Sequence, residues 1–191
     1  DLMIGVPLYA DVAAIHNFVV QAQNAFDQTI SGISNLARFG VPVEIRFVIH
    51  RQTVGRMVQT AAFISRNLPF VSQVALMGLE MTGFTRSNVN ALWIDPWEYR
   101  EALAAAVHEL DSAGIRVMIY NLPLCLLPSG LWPYAQRSIS DWKNLYMPEC
   151  ESCVMRPDCA GFFASATFRY SEHISPFQER LSIADGIDHL V

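Results

Sequence analysis

Asp95-Pro96-Trp97-Glu98 opens the stretch that decides the fold, and Gly114-Ile115-Arg116-Val117-Met118-Ile119-Tyr120 closes it. Asp95 suits a helix N-cap, Pro96 the first helical position and Glu98 the third. Tyr99, Leu103, Val107 and Leu110 then recur on one face at the helical period, and Gly114 ends the helix. The apolar run Ile115 to Tyr120 follows as a strand. A capped amphipathic helix feeding directly into a buried strand is one half of a βαβ unit.

The same alternation runs backward to the start of the chain. Leu2 to Tyr9 reads as a strand. Asn24 to Phe39 reads as a helix, with Phe26, Ile30, Ile33 and Ala37 on one face and Gly40 ending it. Val43 to His50 is a second strand, about Val54 to Asn67 a helix stopped by Leu68-Pro69, and Val71 to Leu79 a third strand. Apolar strands separated by amphipathic helices predict an α/β fold with a parallel sheet. Function in such sheets gathers at the carboxyl ends of the strands. Those ends carry Asp11, His50 with Arg51, Glu80 and Asn121. Each alone also fits a cap or a turn, and His16 reads as a satisfied surface or cap histidine.

After Asn121 the alternation stops at the Pro-rich connection Leu122 to Gly130. The expected organisation is 1–122 for the α/β body, 123–177 for a cysteine-bearing region and 178–191 for a tail. The chain has four cysteines, and three of them form Cys150-x2-Cys153-x5-Cys159. Two thiols two residues apart can face one metal centre, and a third can close on it across a short turn. Cys125, among leucines, fits either a fourth ligand or a buried core thiol. The set therefore reads as ligands for an iron–sulfur cluster or a zinc ion. Two disulfides are the other use of an even count, but the chain is longer than the scaffolds that need such staples.

Composition narrows the classes. The 191 residues are 52% hydrophobic and 16% charged, with a net charge of −5 and a single lysine, Lys143. Disorder is excluded, and no basic stripe offers a nucleic-acid footprint. No signal peptide or long uncharged apolar span appears, which points to reduced thiols and a cytoplasmic setting. The chain opens on Asp1 and enters a strand at once, so it is expected to be a piece of a longer protein.

Seven motifs then follow one another in order. They are Gly5-Val6-Pro7-Leu8-Tyr9, Glu44-Ile45-Arg46, Met77-Gly78-Leu79-Glu80, Trp93-Ile94-Asp95-Pro96, Tyr120-Asn121-x3-Cys125, Ser138-Ile139-Ser140-Asp141-Trp142-Lys143-Asn144 and Cys159-x-Gly161-Phe162-Phe163. Together they resemble the later part of the radical S-adenosylmethionine maturases of the His-Xaa-Ser peptide system. The resemblance implies a partial (β/α)6 barrel with a C-terminal cysteine-rich extension. It implies an auxiliary 4Fe-4S cluster on Cys125, Cys150, Cys153 and Cys159, a peptide substrate and a partner maturase. It also implies S-adenosylmethionine in the full-length parent, with Arg46, Glu80 and Asn121 as cofactor contacts. Arg46 equally suits an ion pair with Glu44. Two departures stand out. Phe163 occupies a position where related cluster domains often carry another cysteine. The C-x3-C-x2-C loop that holds the cleaving cluster is absent from this sequence. The implied reading is an auxiliary-cluster portion without the radical-generating centre. A zinc-stapled α/β binding module without catalysis is the alternative.

Overall fold

A computed structural model describes residues 2–138 and 143–183. Ile139 to Trp142 of the sixth motif and most of the expected tail lie outside the described residues. The strands are β1 (Ile4–Pro7), β2 (Val43–Ile49), β3 (Gln73–Gly78), β4 (Arg116–Tyr120) and a two-residue β5 (Ala135–Gln136). All are parallel, in the order β1-β2-β3-β4-β5. The helices are α1 (Ala13–Val20), α2 (Ala25–Arg38), α3 (Met57–Asn67), the single turns α4 (Phe84–Ser87) and α5 (Val89–Leu92), and α6 (Pro96–Ser112). The fold is thus α/β, as the alternation predicts.

A strictly sequential parallel order has a consequence. Right-handed crossovers between successive neighbours place every connecting helix on the same side of the sheet. Phe47, Leu76 and Ile119 lie in register across β2, β3 and β4 and point to that side. They share one core with Ile33 of α2, Met57 and Ile64 of α3, and Leu103, Val107 and Leu110 of α6. Each fully buried side chain of this size contributes roughly 1.5–3 kcal/mol. The opposite face of the sheet carries Gly5, Pro7, Glu44, Arg46, Val48, Met77, Met118 and Tyr120, and among the described residues α2, α3 and α6 all lie on the other side of the sheet.

Local chemistry explains the boundaries. Asp95 accepts the Trp97 N–H with its side chain at 2.9 Å, and Pro96 begins α6. Gly114 follows α6 in the left-handed region at φ 75°, where a Cβ would be strained. The stretch read as one helix from Val54 divides into a 3-10 turn, Val54–Arg56, and α3.

Beyond β4 the chain forms short 3-10 turns and one antiparallel pair, β6 (Asn144–Leu145) with β7 (Phe162–Phe163). This segment is not separate from the body. Met155 and Cys159 belong to the main core. Leu126, Met147, Phe162 and Ala166 make a smaller cluster beside it.

Candidate functional site

The four cysteines are 34 residues apart at their extremes, Cys125 and Cys159, yet all four line one cavity. Cys125 enters from the connection after β4. Cys150 lies within a 3-10 turn, Pro148–Ser152, that Cys153 caps, and Cys159 follows Met155, a core residue with no exposed surface. Cys153 and Cys159 pack against the main core, Cys125 and Cys150 against the smaller cluster. The cavity therefore sits at the seam between the two. Its other walls are Tyr146, Met155, Ile174 and Phe177, with Arg156 at the side. Arg156 lies over the Tyr146 ring at 4.9 Å.

The sulfurs of Cys153 and Cys159 accept backbone N–H groups. Leu124 and Gly161 donate their N–H groups to Cys159 Sγ, each at 3.3 Å, and Phe177 donates to Cys153 Sγ at 3.4 Å. The backbone of Ser175 beside Cys125 and of Met147 beside Cys150 favours the ionised sulfur. Gly161 is held at φ 63°, and a Cβ there would stand 2.7 Å from the Leu145 carbonyl, so the donor to Cys159 needs glycine. Burial opposes ionisation. It pushes the Cys125 thiol up to about 11, and it raises Cys150 and Cys159 as well. Mutual repulsion between the sulfurs adds to this. Four thiolates can share this space only with a cation among them.

The donor set fits a thiolate-bound metal centre in kind: four sulfurs, apolar walls and backbone N–H groups aimed at sulfur, an environment that tunes such centres. All four are free cysteines. Among the described residues, no group of three or more His, Cys, Asp or Glu side chains is placed so that it could hold a metal ion. The thiols share a cavity without being drawn onto one point.

A second, larger cavity of about 1020 Å³ opens on the face of the sheet opposite α2, α3 and α6. Arg46, His50 and Glu80 line it, with Tyr9, Met77 and Gln52, and its mouth carries Phe18 and Phe84. Arg46 makes the ion pair with Glu44 and also lines the cavity. Its Nε donates to Glu44 Oε1 at 2.6 Å, and Glu44 also accepts from Gln73. Yet 52% of the Arg46 side chain stays exposed on the cavity wall, against 9% for Glu44. Gly5 makes this possible, since a Cβ there would stand 2.6 Å from Arg46 Nε. His50 is buried, and burial holds it down to about 4, so it is neutral near pH 7. Its Nδ1 accepts the Gln52 N–H at 3.3 Å.

The other residues expected at the strand ends divide. Glu80 lines the large cavity, whereas Asn121 stands behind it, donating to Glu80 Oε1 at 3.2 Å and to the Gly78 carbonyl at 3.3 Å. Asp11 is bound to Arg56 through both carboxylate oxygens and anchors the loop after β1 to α3. Arg51 donates its backbone N–H to Leu92 at 2.7 Å. His16 is buried, takes the Tyr9 N–H on Nδ1 at 3.2 Å, and sets Nε2 against Thr29 Oγ1 at 3.3 Å.

Two features of these sites carry no signal in the sequence read alone. One is the ring of backbone donors around the sulfurs. The other is the aromatic mouth of the large cavity, where Phe84 is 90% exposed. Among the described residues, no helix is long and apolar enough to cross a membrane. No protein-family model, curated protein or solved structure matches the chain.

Proposed function

We propose that this chain is the auxiliary-cluster portion of a cytoplasmic radical S-adenosylmethionine enzyme that modifies a ribosomally made peptide. The carrying observation is the convergence of Cys125, Cys150, Cys153 and Cys159 on one cavity, with backbone N–H groups donating to the sulfurs of Cys153 and Cys159. These four residues would hold a 4Fe-4S cluster. When bound, such a cluster supplies one-electron chemistry. A cluster spreads its thiolates over several irons, which suits sulfurs that share a cavity without meeting at a point. A single zinc draws four sulfurs onto one atom at about 2.3 Å each.

The sheet supports the rest of the reading. Sequential strands with the long helices on one side are the arrangement of part of a (β/α) barrel, whose inner face would be the one opposite α2, α3 and α6. On that face Arg46 offers a guanidinium for a carboxylate, and Glu80 offers a carboxylate for an ammonium. The large cavity thereby suits a zwitterionic ligand such as the amino-acid end of S-adenosylmethionine, completed by strands of the parent. Phe18 and Phe84 at the mouth suit an extended peptide with apolar side chains.

Anaerobic purification with metal analysis tests the reading. The expected product is brown and contains iron and sulfide near four each per chain, the stoichiometry of one cluster. It releases no deoxyadenosine from S-adenosylmethionine under strong reductant, because a fully ligated cluster has no open iron. A colourless protein with one zinc supports the binding-module alternative. Deoxyadenosine release would place the cleaving centre on these four cysteines and refute the auxiliary role.

A further inference from the structure

We infer that the thiol centre sets the position of the Glu80 carboxylate, and with it one wall of the large cavity, through two short arms of chain. The inference rests on the reading of the four cysteines as a metal centre. Glu80 and Met81 follow directly on β3 and are held from both sides.

One arm comes from β4. Asn121 donates to Glu80 Oε1 at 3.2 Å while its own backbone is fixed in the left-handed region at φ 63°. Three residues later Leu124 donates its N–H to Cys159 Sγ at 3.3 Å, and the next residue is Cys125. The other arm comes from beyond Cys159. Gly161 donates to the same sulfur at 3.3 Å, Phe162 and Phe163 pair as β7, and Ser165 Oγ accepts the Met81 N–H at 2.8 Å. Further along, Phe168 lies under the Arg86 guanidinium at 3.9 Å, and Arg169 lies 4.2 Å over the Trp93 ring. The outer side of the loop between β3 and α6 is thus clasped by the segment after Cys159. Its inner side presents Glu80, Phe84, Thr85 and Leu92 to the cavity.

Neither arm contains a long regular element. Their strands are two residues long and their helical turns are of the 3-10 type. Their placement therefore follows whatever fixes Cys125 and Cys159. Apolar packing and a few backbone N–H contacts to sulfur set the spacing of those sulfurs until a cation joins them, and metal binding is ordering energy for such segments. Loading the centre tightens both arms on Glu80 and Met81. By linkage, a ligand engaging Glu80 increases metal retention by the same factor. Asn121 and Ser165 are positioning residues in this scheme.

Hydrogen exchange on the whole chain tests this, measured after chelation and again after anaerobic loading with iron and sulfide, with iron content determined in parallel. Loading is expected to slow exchange in 81–92 about tenfold, the protection that one or two buried hydrogen bonds confer. Ser165→Ala should retain iron and keep 150–163 protected, yet lose the effect in 81–92. Ser165→Thr keeps the hydroxyl and should keep the effect. Loading that protects 150–163 but leaves 81–92 unchanged in the native chain overturns the inference and leaves the metal centre standing. A chain that takes up no metal overturns both. Loss of the effect in Ser165→Thr to the same extent as in Ser165→Ala overturns the role of that hydroxyl.

Discussion

Cys125→Ala separates a metal ligand from a buried thiol. In the stripped protein the change deletes one half-buried sulfur beside Leu126, Met147 and Phe162. Losses on the scale of one methyl-sized group cost about 1 kcal/mol. In the loaded protein it also removes one of four ligands. Structural thiolate sites contribute about 10–16 kcal/mol, so one ligand in four is worth about 3 kcal/mol, or roughly a hundredfold in metal retention. The expected cost is therefore about 4 kcal/mol loaded and about 1 kcal/mol stripped. Anaerobic urea unfolding with and without metal measures both. Trp132 is the local reporter, because its Nε1–H donates to the carbonyls of Leu124 and Leu127 on either side of Cys125. It also meets Phe177 edge-on at 5.3 Å. An equal cost in the two states would refute Cys125 as a ligand, however large that cost is.

Two further outcomes are expected. Gly5→Ala forces the Arg46 guanidinium to swing away, because the new Cβ would stand 2.7 Å from Arg46 Cζ. The tip is flexible and half-exposed, so stability should change by under about 1 kcal/mol. The Arg46 Nε–H resonance should move, and its staying in place would show that the close approach is absent. His50 gives a pH signature. Burial lowers it from 6.5 to about 4, so the unfolded chain takes the proton first. Its contribution is level above about pH 6.5 and is lost as the pH falls towards 4, by about 3 kcal/mol in all. His50→Gln should flatten the native stability curve across that window; an unchanged slope would assign the acid sensitivity elsewhere.

The body of the fold is legible in the sequence because its signals are local. The cap at Asp95-Pro96, the stop at Gly114 and the helical period of Leu103, Val107 and Leu110 each act within a few residues. Helix α1 has none of them: its N-cap, Val12, makes no side-chain cap, only His16 is buried, and Phe18 and Val20 face outward. The single turns α4 and α5 are too short to display a period. At the thiol site, spacing announces which cysteines can meet, since three lie within ten residues. What spacing cannot announce is long-range: Leu124 reaching Cys159, Phe177 reaching Cys153, and Asn121 reaching Glu80 across 41 positions. The Arg46–Glu44 contact was open to sequence reading because residues two apart on a strand share a face, and the structure adds Gln73 to it.

The donors to sulfur also set an order of events during synthesis. Each pairing among β1 to β4 joins neighbours in the chain, so the sheet can grow by accretion as successive units leave the ribosome. The cavity cannot. Cys125 emerges long before Ser175, and Cys153 before Phe177, and those late residues close over them. For some fifty residues of elongation the earliest thiol has no completed shelter. The four-thiol cavity is thereby complete only once residue 177 has emerged, and oxidants have their best access to Cys125 in the interval before it.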